Sequence, residues 1–137
     1  MAVSIVRRWI VLQGMASLLA STAAWAQAEL SEAELAGVWR GYVKDAGFRI
    51  NGELIFRRNG TYQRMHQLGQ LMTWASGPYR IAENWIHFEV EDYEPKRYLG
   101  VDQAPPPSET WMVDYFDGRQ IEGRIGNSAQ FSYRKAD

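Results

Sequence analysis

The chain has 137 residues, of which 46% are hydrophobic and 23% are charged, and its formal net charge is −1. It contains no cysteine, which excludes disulfides, thiol catalysis and thiolate metal sites. A nearly balanced charge without a basic tract disfavours nucleic-acid binding. These features predict one globular domain that depends on its hydrophobic core for stability.

The N-terminus has the pattern of a Sec-type secretory signal peptide. Arg7 and Arg8 form a basic region near its start, a mostly apolar stretch follows, and Ala24 and Ala26 stand at the two positions that a signal peptidase reads. This pattern predicts cleavage after Ala26. The apolar stretch is too rich in small residues for a span of about 20 strongly apolar residues, although an uncleaved anchor is the alternative. We expect a signal peptide at 1–26 and one periplasmic or secreted domain at 27–137, without a stable membrane anchor.

A short helical turn precedes the first strand of the domain. Ser31 and Glu34 have the spacing of a capping box, in which side chains satisfy backbone N–H groups at a helix start. Gly37 and Trp39 then bracket one residue where the strand pattern begins. A tryptophan at that place is typical of a side chain that closes one end of an up-and-down barrel.

From residue 37 onward, β-branched and aromatic residues alternate with polar ones, and turn residues interrupt them about every ten residues. This pattern predicts an all-β fold, an eight-stranded antiparallel up-and-down (meander) barrel. A two-sheet sandwich is the main alternative. The predicted strands are 37–44, 47–57, 61–68, 73–82, 85–92, 109–116, 119–125 and 129–135.

The turn at 58–60 (Arg-Asn-Gly) decides which residues of the neighbouring strands face inward. As a three-residue loop with glycine in the left-handed region, it pairs Leu54 with Arg64. As a two-residue Asn-Gly loop, it pairs Leu54 with Met65, and every side chain then changes face. The sequence leaves both registers open.

The turn at 116–118 (Phe-Asp-Gly) also fits a three-residue loop. That loop places Val113 opposite Ile121 and Tyr115 opposite Arg119. We therefore expect the tyrosine to share the inward face with the valine.

Polar side chains on the strand at 61–68 are the first candidates for a binding site. In the three-residue register, Arg64 and His66 face inward, where an unpaired polar group costs several kcal/mol. They then form a polar patch for an anionic or hydrogen-bonding ligand, whereas in the other register both lie in solvent. Aromatic residues near the rim extend the patch, and the predicted ligand-binding residues are Tyr62, Arg64, His66, Trp74, Trp111 and Tyr115.

No catalytic motif accompanies this patch. The two histidines, His66 and His87, have no third ligand at metal-binding spacing, and no nucleophile elbow is present. The acidic residues at 89–94 are explained by a solvated strand end. We expect a protein that is not an enzyme and that has no metal or cofactor.

Three short motifs resemble those of small bacterial secreted lipocalin-like (calycin-type) domains: Leu35–Gly41, Asn59–Tyr62 and Ser76–Ile81. The resemblance covers about residues 35–135 and implies structural roles for Gly37, Trp39 and Arg134. In that family a basic residue near the end of the last strand packs on the tryptophan ring as a cation–π contact, which implies a pair of Arg134 and Trp39. It also implies a non-enzymatic module that holds a small apolar or amphipathic ligand in or at the mouth of the barrel.

A second hypothesis is an inhibitor or accessory protein, of protease or lysozyme type, that binds a protein partner through its loops. The longest predicted loop is 93–108, because its Pro-Pro-Pro run cannot pair in a sheet. It carries Tyr93, Lys96, Arg97 and Tyr98. A hollow barrel favours the first hypothesis, and a packed barrel with a projecting loop favours the second.

Overall fold

The computed structural model describes residues 29–137, so the predicted signal peptide at 1–26 lies outside the described residues. No helix in the described part is long and apolar enough to cross a membrane. The part contains one helix and eleven strands. They are α1 (Glu32–Leu35), β1 (Gly37–Asp45), β2 (Phe48–Phe56), β3 (Thr61–Leu68), β4 (Leu71–Ala82), β5 (Trp85–Phe88), β6 (Asp92–Glu94), β7 (Arg97–Tyr98), β8 (Val101–Asp102), β9 (Glu109–Phe116), β10 (Gln120–Ile125) and β11 (Ala129–Lys135).

Eight of these strands close into an antiparallel up-and-down barrel. The order is β3-β2-β1-β11-β10-β9-β5-β4, and β3 also pairs with β4. This ring of pairings confirms the predicted barrel and excludes the two-sheet sandwich. We call the end of the barrel at which β1 begins the base. The opposite end is the mouth, and it carries the β1–β2 turn, the β3–β4 turn and the 89–108 loop.

The base is closed by α1 and Trp39. Ser31 Oγ accepts a hydrogen bond from the backbone N–H of Glu34 at 3.2 Å, the capping contact that the sequence predicts. Trp39 Nε1 donates to the carbonyl of Leu35 at 2.8 Å, and both side chains are completely buried. The tryptophan is therefore tied to the helix beneath the barrel and packs as its floor.

The cation above Trp39 is Lys135, not Arg134. Lys135 Nζ lies 5.5 Å from the centroid of the Trp39 ring, whereas Arg134 is exposed and donates to Gln120 Oε1 at 2.8 Å. Strand alternation explains the correction, because Tyr133 is buried and the next residue must turn outward. The predicted pair of Arg134 and Trp39 is wrong by one residue.

The first hairpin has the three-residue loop. Leu54 pairs with Arg64 and Phe56 with Tyr62, and Gly60 takes the left-handed conformation with φ +83°. This register turns Tyr62 and Arg64 into the barrel, where both are buried.

The second hairpin differs from the prediction in two ways. Phe116 pairs with Ile121, Tyr115 with Glu122 and Val113 with Gly123, and the register shifts between Val113 and Tyr115. The turn is thus shifted toward the C-terminus, with residues 117–120 between the innermost paired residues, and a bulge changes the alternation within β9.

The bulge removes Tyr115 from the interior. Val113 stays buried, but Tyr115 is only half-buried, and its hydroxyl donates to Asp117 Oδ2 at 2.9 Å. The prediction that Tyr115 faces inward as a ligand-binding residue is wrong, because the bulge between Val113 and Tyr115 interrupts the period-two alternation and Phe116 is the next buried residue.

The interior below the mouth is filled with aromatic rings. Trp111 lies at its centre, with ring centroids 4.9 Å from Phe88 and 4.5 Å from Phe131. The largest fully buried side chains are Trp39, Trp111, Tyr62, Tyr133, Phe56, Phe88, Phe131, Leu35, Leu54, Ile86 and Ile121. The barrel is therefore packed, as small eight-stranded barrels can be. A packed interior favours a protein partner over a ligand inside the barrel, and it leaves a small ligand only the mouth.

Glycines on the barrel wall bring strands together instead of leaving space. A Cβ at Gly41 would lie 2.0 Å from the carbonyl oxygen of Ser132, and one at Gly123 would lie 1.8 Å from that of Met112. Both positions need glycine because neighbouring backbone occupies the place of a side chain.

The segment after β5 differs from the predicted strand at 85–92. β5 ends at Phe88, and β6 pairs with β4 at Trp74–Ser76 instead. Val90, which the alternation predicts in the core, lies between these strands and is only partly buried. The predicted loop at 93–108 contains the small β7–β8 hairpin, in which Tyr98 pairs with Val101.

Replacing Trp39 by alanine tests its role as the floor. Removing a fully buried tryptophan costs about 3–5 kcal/mol, so we expect Trp39→Ala to lower the free energy of unfolding by that amount in urea. Trp85→Ala is the matched control, since Trp85 is only partly buried, and it should cost less than half as much. Equal losses for the two variants would contradict the assignment.

Candidate functional site

The candidate site lies around Arg64, inside the barrel near its mouth. The Arg64 residue is only 5% exposed. Its Nη1 donates to Glu109 Oε1 at 2.9 Å, and the same carboxylate oxygen accepts from Trp111 Nε1 at 3.1 Å. The guanidinium carbon lies 5.9 Å from the ring centroids of both Tyr62 and Phe88. Arg64 is therefore held by one carboxylate and two aromatic rings.

The carboxylate partner comes from a distant part of the chain. Glu109 is the first residue of β9 and lies 45 positions after Arg64. The side chain of Glu109 is 31% exposed, and that of Arg64 is 6% exposed. Desolvation offsets much of the attraction in such pairs, so the pair adds little to the stability of the fold. We therefore assign it a positioning role, in which Glu109 fixes the direction of the other guanidinium N–H groups.

His66 lies next to Arg64 on the inward face of β3. Burial, and secondarily the charge of Arg64, lowers the pKa of His66 to about 4. The ring is therefore neutral at neutral pH. Its Nε2 atom is buried and has no hydrogen-bond partner within residues 29–137.

Tyr133 supplies a second buried polar atom without a partner in the described chain. Its hydroxyl is unpaired, and burial raises the pKa of the phenol above its ordinary value. A Cβ on Gly52 would lie 3.1 Å from this hydroxyl and 2.8 Å from His66 Cδ2. Gly52 thus leaves room for both side chains on the barrel wall.

The Tyr79 hydroxyl is a third buried atom without a partner in the described chain. Tyr79 lies at the base end, where its backbone N–H donates to the carbonyl of Gly60.

Arg64, His66 and Glu109 border a small recess, and Tyr133 lies behind its lining. The recess has a volume of about 150 Å³ and is lined by Arg64, His66, Thr73, Trp74, Ala75, Pro106 and Glu109. Pockets for drug-sized ligands measure about 300–1,000 Å³. The recess therefore has the size of a polar head group and not that of a whole ligand.

An apolar rim continues the same inward rows toward the mouth. Leu68 follows His66 on β3, and Ile50 and Phe48 precede Gly52 on β2, with about 6.6 Å between successive inward positions. The rim forms a notch of about 480 Å³ lined by Asp45, Ala46, Phe48, Arg49, Ile50, Gln67, Leu68 and Gly69. Polar recess and apolar notch thus follow one another along two paired strands.

Most of the residues that the sequence predicts for a ligand come together here. Tyr62, Arg64 and His66 share the inward face, and Trp74 borders the recess. Trp111 acts through its hydrogen bond to Glu109. Tyr115 does not belong to the site.

Sequence reasoning did not assign Glu109, Thr73, Pro106 and Tyr133 to the site. Alternation could have found Glu109, which is two residues before the inward Trp111. The same alternation places Tyr133 inward. The sequence does not show, however, that Tyr133 on β11 lies near His66 on β3, because these strands are not neighbours in the barrel. Among the described residues, no group of three or more histidines and acids could hold a metal ion.

Comparisons with known proteins give the fold alone. No family model matches the chain, and no curated protein matches it. Among solved structures it is similar to a redesigned β-barrel, with a TM-score of 0.51 and 13% identity over 77% of this chain and 95% of that chain. At this identity the likeness extends to the barrel architecture and no further.

Replacing His66 tests its buried, neutral state. The unfolded chain binds a proton near pH 6.5, whereas the folded protein binds it only near pH 4. The free energy of unfolding should therefore fall as the pH drops through this interval, by roughly 2–3 kcal/mol between pH 7.5 and 4.5. His66→Gln should lose this part of the pH dependence in urea unfolding.

His87→Gln is the matched control for that experiment. His87 Nδ1 is hydrogen-bonded to Thr110 Oγ1 at 2.8 Å on the outer face of the barrel. This variant therefore leaves the buried ring in place and should keep the pH dependence that His66 contributes. If His66→Gln kept it as well, the buried, neutral His66 would be the wrong assignment.

Proposed function

We propose that the protein is a secreted, lipocalin-like binding module without enzymatic activity, and that it holds a small amphipathic carboxylate at the mouth of its barrel. The carboxylate occupies the recess beside Arg64, and the apolar part lies on the rim. One observation carries the proposal: among the described residues His66 Nε2 and the Tyr133 hydroxyl are buried without a hydrogen-bond partner, and the inward row of Arg64 and His66 continues to Leu68 in an apolar notch.

The polar groups of the recess suit a carboxylate head. Arg64 has five N–H donors, and its side-chain hydrogen bond to Glu109 uses one of them. Guanidinium and carboxylate make short, charge-assisted bonds, often in pairs. The Tyr133 hydroxyl lies behind the lining residues, beside the same Gly52 position as His66, and we propose it as a further donor. Because unpaired buried polar atoms are costly, a ligand that pairs them gains affinity.

A bound carboxylate also favours a proton on His66. Glu109 already balances the charge of Arg64, so the recess without ligand is neutral overall. An added anion beside the imidazole raises the pKa of His66 toward its ordinary range. We therefore expect tighter binding at pH 5.5 than at pH 7.5.

The packed interior limits where the apolar part of the ligand lies. Trp111, Tyr62 and Phe88 fill the barrel beneath Arg64, so a chain cannot pass below the guanidinium. The open direction leads along Leu68, Ile50 and Phe48. This arrangement supports an acyl chain of medium length that lies at the mouth and not within the barrel.

Tyr133→Phe tests the proposal with the smallest change. It removes a hydroxyl that has no hydrogen-bond partner within residues 29–137, so the stability of the fold should not fall. Decanoate, titrated by calorimetry, should bind the variant about 3–10 times more weakly than the wild type, as expected for one lost hydrogen bond. Tyr115→Phe is the matched control on the outer face and should leave the affinity unchanged.

Decanol tests the head group separately. It has a similar chain but no carboxylate, and it should bind at least about tenfold more weakly than decanoate. Equal binding of decanol and decanoate would contradict the role of Arg64. Absence of decanoate binding at both pH 5.5 and pH 7.5 would contradict the proposed function.

A further inference from the structure

The exposed large hydrophobic side chains of the described chain all lie at the mouth. They are found on the strand ends and turns of the β1–β2 and β3–β4 hairpins and on the 89–108 loop. The residues and their exposures are Phe48 (74%), Leu68 (46%), Met72 (44%), Tyr98 (39%), Leu99 (84%) and Val101 (61%). Such concentration of apolar surface at one end is typical of an interaction site.

One part of this surface protrudes as the tip of the β7–β8 hairpin. Leu99 and Gly100 form its two-residue turn, with φ values of +52° and +79°. Two positive φ values characterise a type I′ turn, in which Asn, Asp or Gly is favoured at the first position. A leucine there is disfavoured by its Cβ, and its side chain is not used in the core. Neither the turn nor the core explains this residue.

The hairpin is braced in one conformation. Arg97 forms an ion pair with Asp102 at 2.6 Å and donates to the carbonyl of Gly100 at 2.7 Å. At its base, the Tyr93 hydroxyl donates to the carbonyl of Gln103 at 3.0 Å. The apolar tip is therefore presented on a preorganised support, which lowers the entropic cost of binding.

A second part of the surface is concave. The notch between Phe48, Ile50 and Leu68 has a volume of about 480 Å³, which is ample for a leucine side chain. The notch and the hairpin tip belong to the same end of the barrel. One copy of the chain thus carries both a protruding and a receiving apolar element.

Charge is distributed in the same complementary way. Lys44 and Arg49 lie directly opposite each other on β1 and β2 beside the notch, and neither forms an ion pair with any residue of the described chain. The segment 89–96, which leads into the hairpin, contains four acids and one base. With Asp45, which also lines the notch, these two bases leave the border with a net charge of +1. The segment 89–96 has a net charge of −3, although Asp92 and Glu94 pair with Lys96 and Glu89 pairs with Arg80. The two surfaces therefore differ in the sign of their net charge.

We propose that two copies of this chain associate mouth to mouth about a two-fold axis. The hairpin tip of each copy, centred on Leu99, lies in the Phe48–Leu68 notch of the other, and the acidic segment 89–96 faces Lys44 and Arg49. A two-fold axis across the mouth exchanges these elements, so that both contacts form at once. The assembly covers the exposed apolar rim.

A second copy fits this surface better than a lipid bilayer does. The acidic segment beside the tip is repelled by anionic lipids, whereas a second copy supplies basic side chains at the matching place. The proposal concerns the protein without ligand. Its outcome is therefore independent of whether a carboxylate binds in the recess.

Sedimentation equilibrium of the purified, ligand-free protein tests the proposal. The wild type should shift from monomer to dimer as its concentration rises. Leu99→Asn keeps the turn, because Asn is favoured there, but removes the apolar tip. It should raise the dimer dissociation constant at least about tenfold. Gly118→Asn, in the turn with φ +89° at the base, is the matched control and should dimerise like the wild type.

A mixing experiment tests the exchanged contacts. Phe48→Ser alters the notch and should also weaken the dimer. A mixture of Leu99→Asn and Phe48→Ser contains heterodimers with one intact contact, so it should dimerise more tightly than either variant alone.

Three results would overturn the proposal: a wild-type monomer at all concentrations up to about 1 mM, assemblies larger than dimers, or unchanged dimerisation of Leu99→Asn. If the monomeric wild type instead floated with phosphatidylcholine vesicles, the rim would be assigned to a lipid surface.

Discussion

The pairing of β11 with β1 is the constraint on which the rest of the structure depends. It closes the ring of eight strands, so that each side chain on them lies either inside or outside the barrel. Trp39, hydrogen-bonded to the helix below, occupies the base of this ring, and Lys135 lies above its ring because it shares the inward row with Tyr133. Closure also limits the space in the interior. Nine aromatic side chains are buried there, so only the mouth end has room for polar side chains.

The polar site exists because this packing stops at Arg64. Below the guanidinium, Tyr62, Phe88 and Trp111 form a solid aromatic layer. Above it, Gly52 removes one side chain, and His66 and Tyr133 retain polar atoms that the described residues do not satisfy. A buried ion pair is weak evidence for stability. The Arg64–Glu109 pair is better understood as a device that orients the guanidinium toward a small recess, and the apolar rim then determines what kind of molecule suits it.

The mouth carries two features that we interpret separately. The recess is concave, polar and close to a head group in size, which supports an amphipathic ligand. The rim is apolar and has a rigid, projecting tip at Leu99, which neither turn geometry nor core packing requires. Both features depend on the 89–108 loop, since Pro106 borders the recess and the β7–β8 hairpin supplies the tip. A ligand at the mouth and a second copy of the chain would therefore meet at the same surface.

The local pattern of the chain was sufficient to predict the eight barrel strands and the helix cap at Ser31. With a three-residue turn at 58–60, it also predicted that Tyr62, Arg64 and His66 face inward. These features depend on neighbours in sequence: period-two alternation, turn glycines and capping side chains. Only the tertiary structure decided the partner of Trp39, the outward turn of Tyr115, the interruption at Val90, and the meeting of Arg64 with Glu109 and of His66 with Tyr133. Each of these depends on a bulge, on a break in a strand or on a contact across the closed barrel. Such features have no signature in a single stretch of sequence, because they arise where distant strands must fit one another.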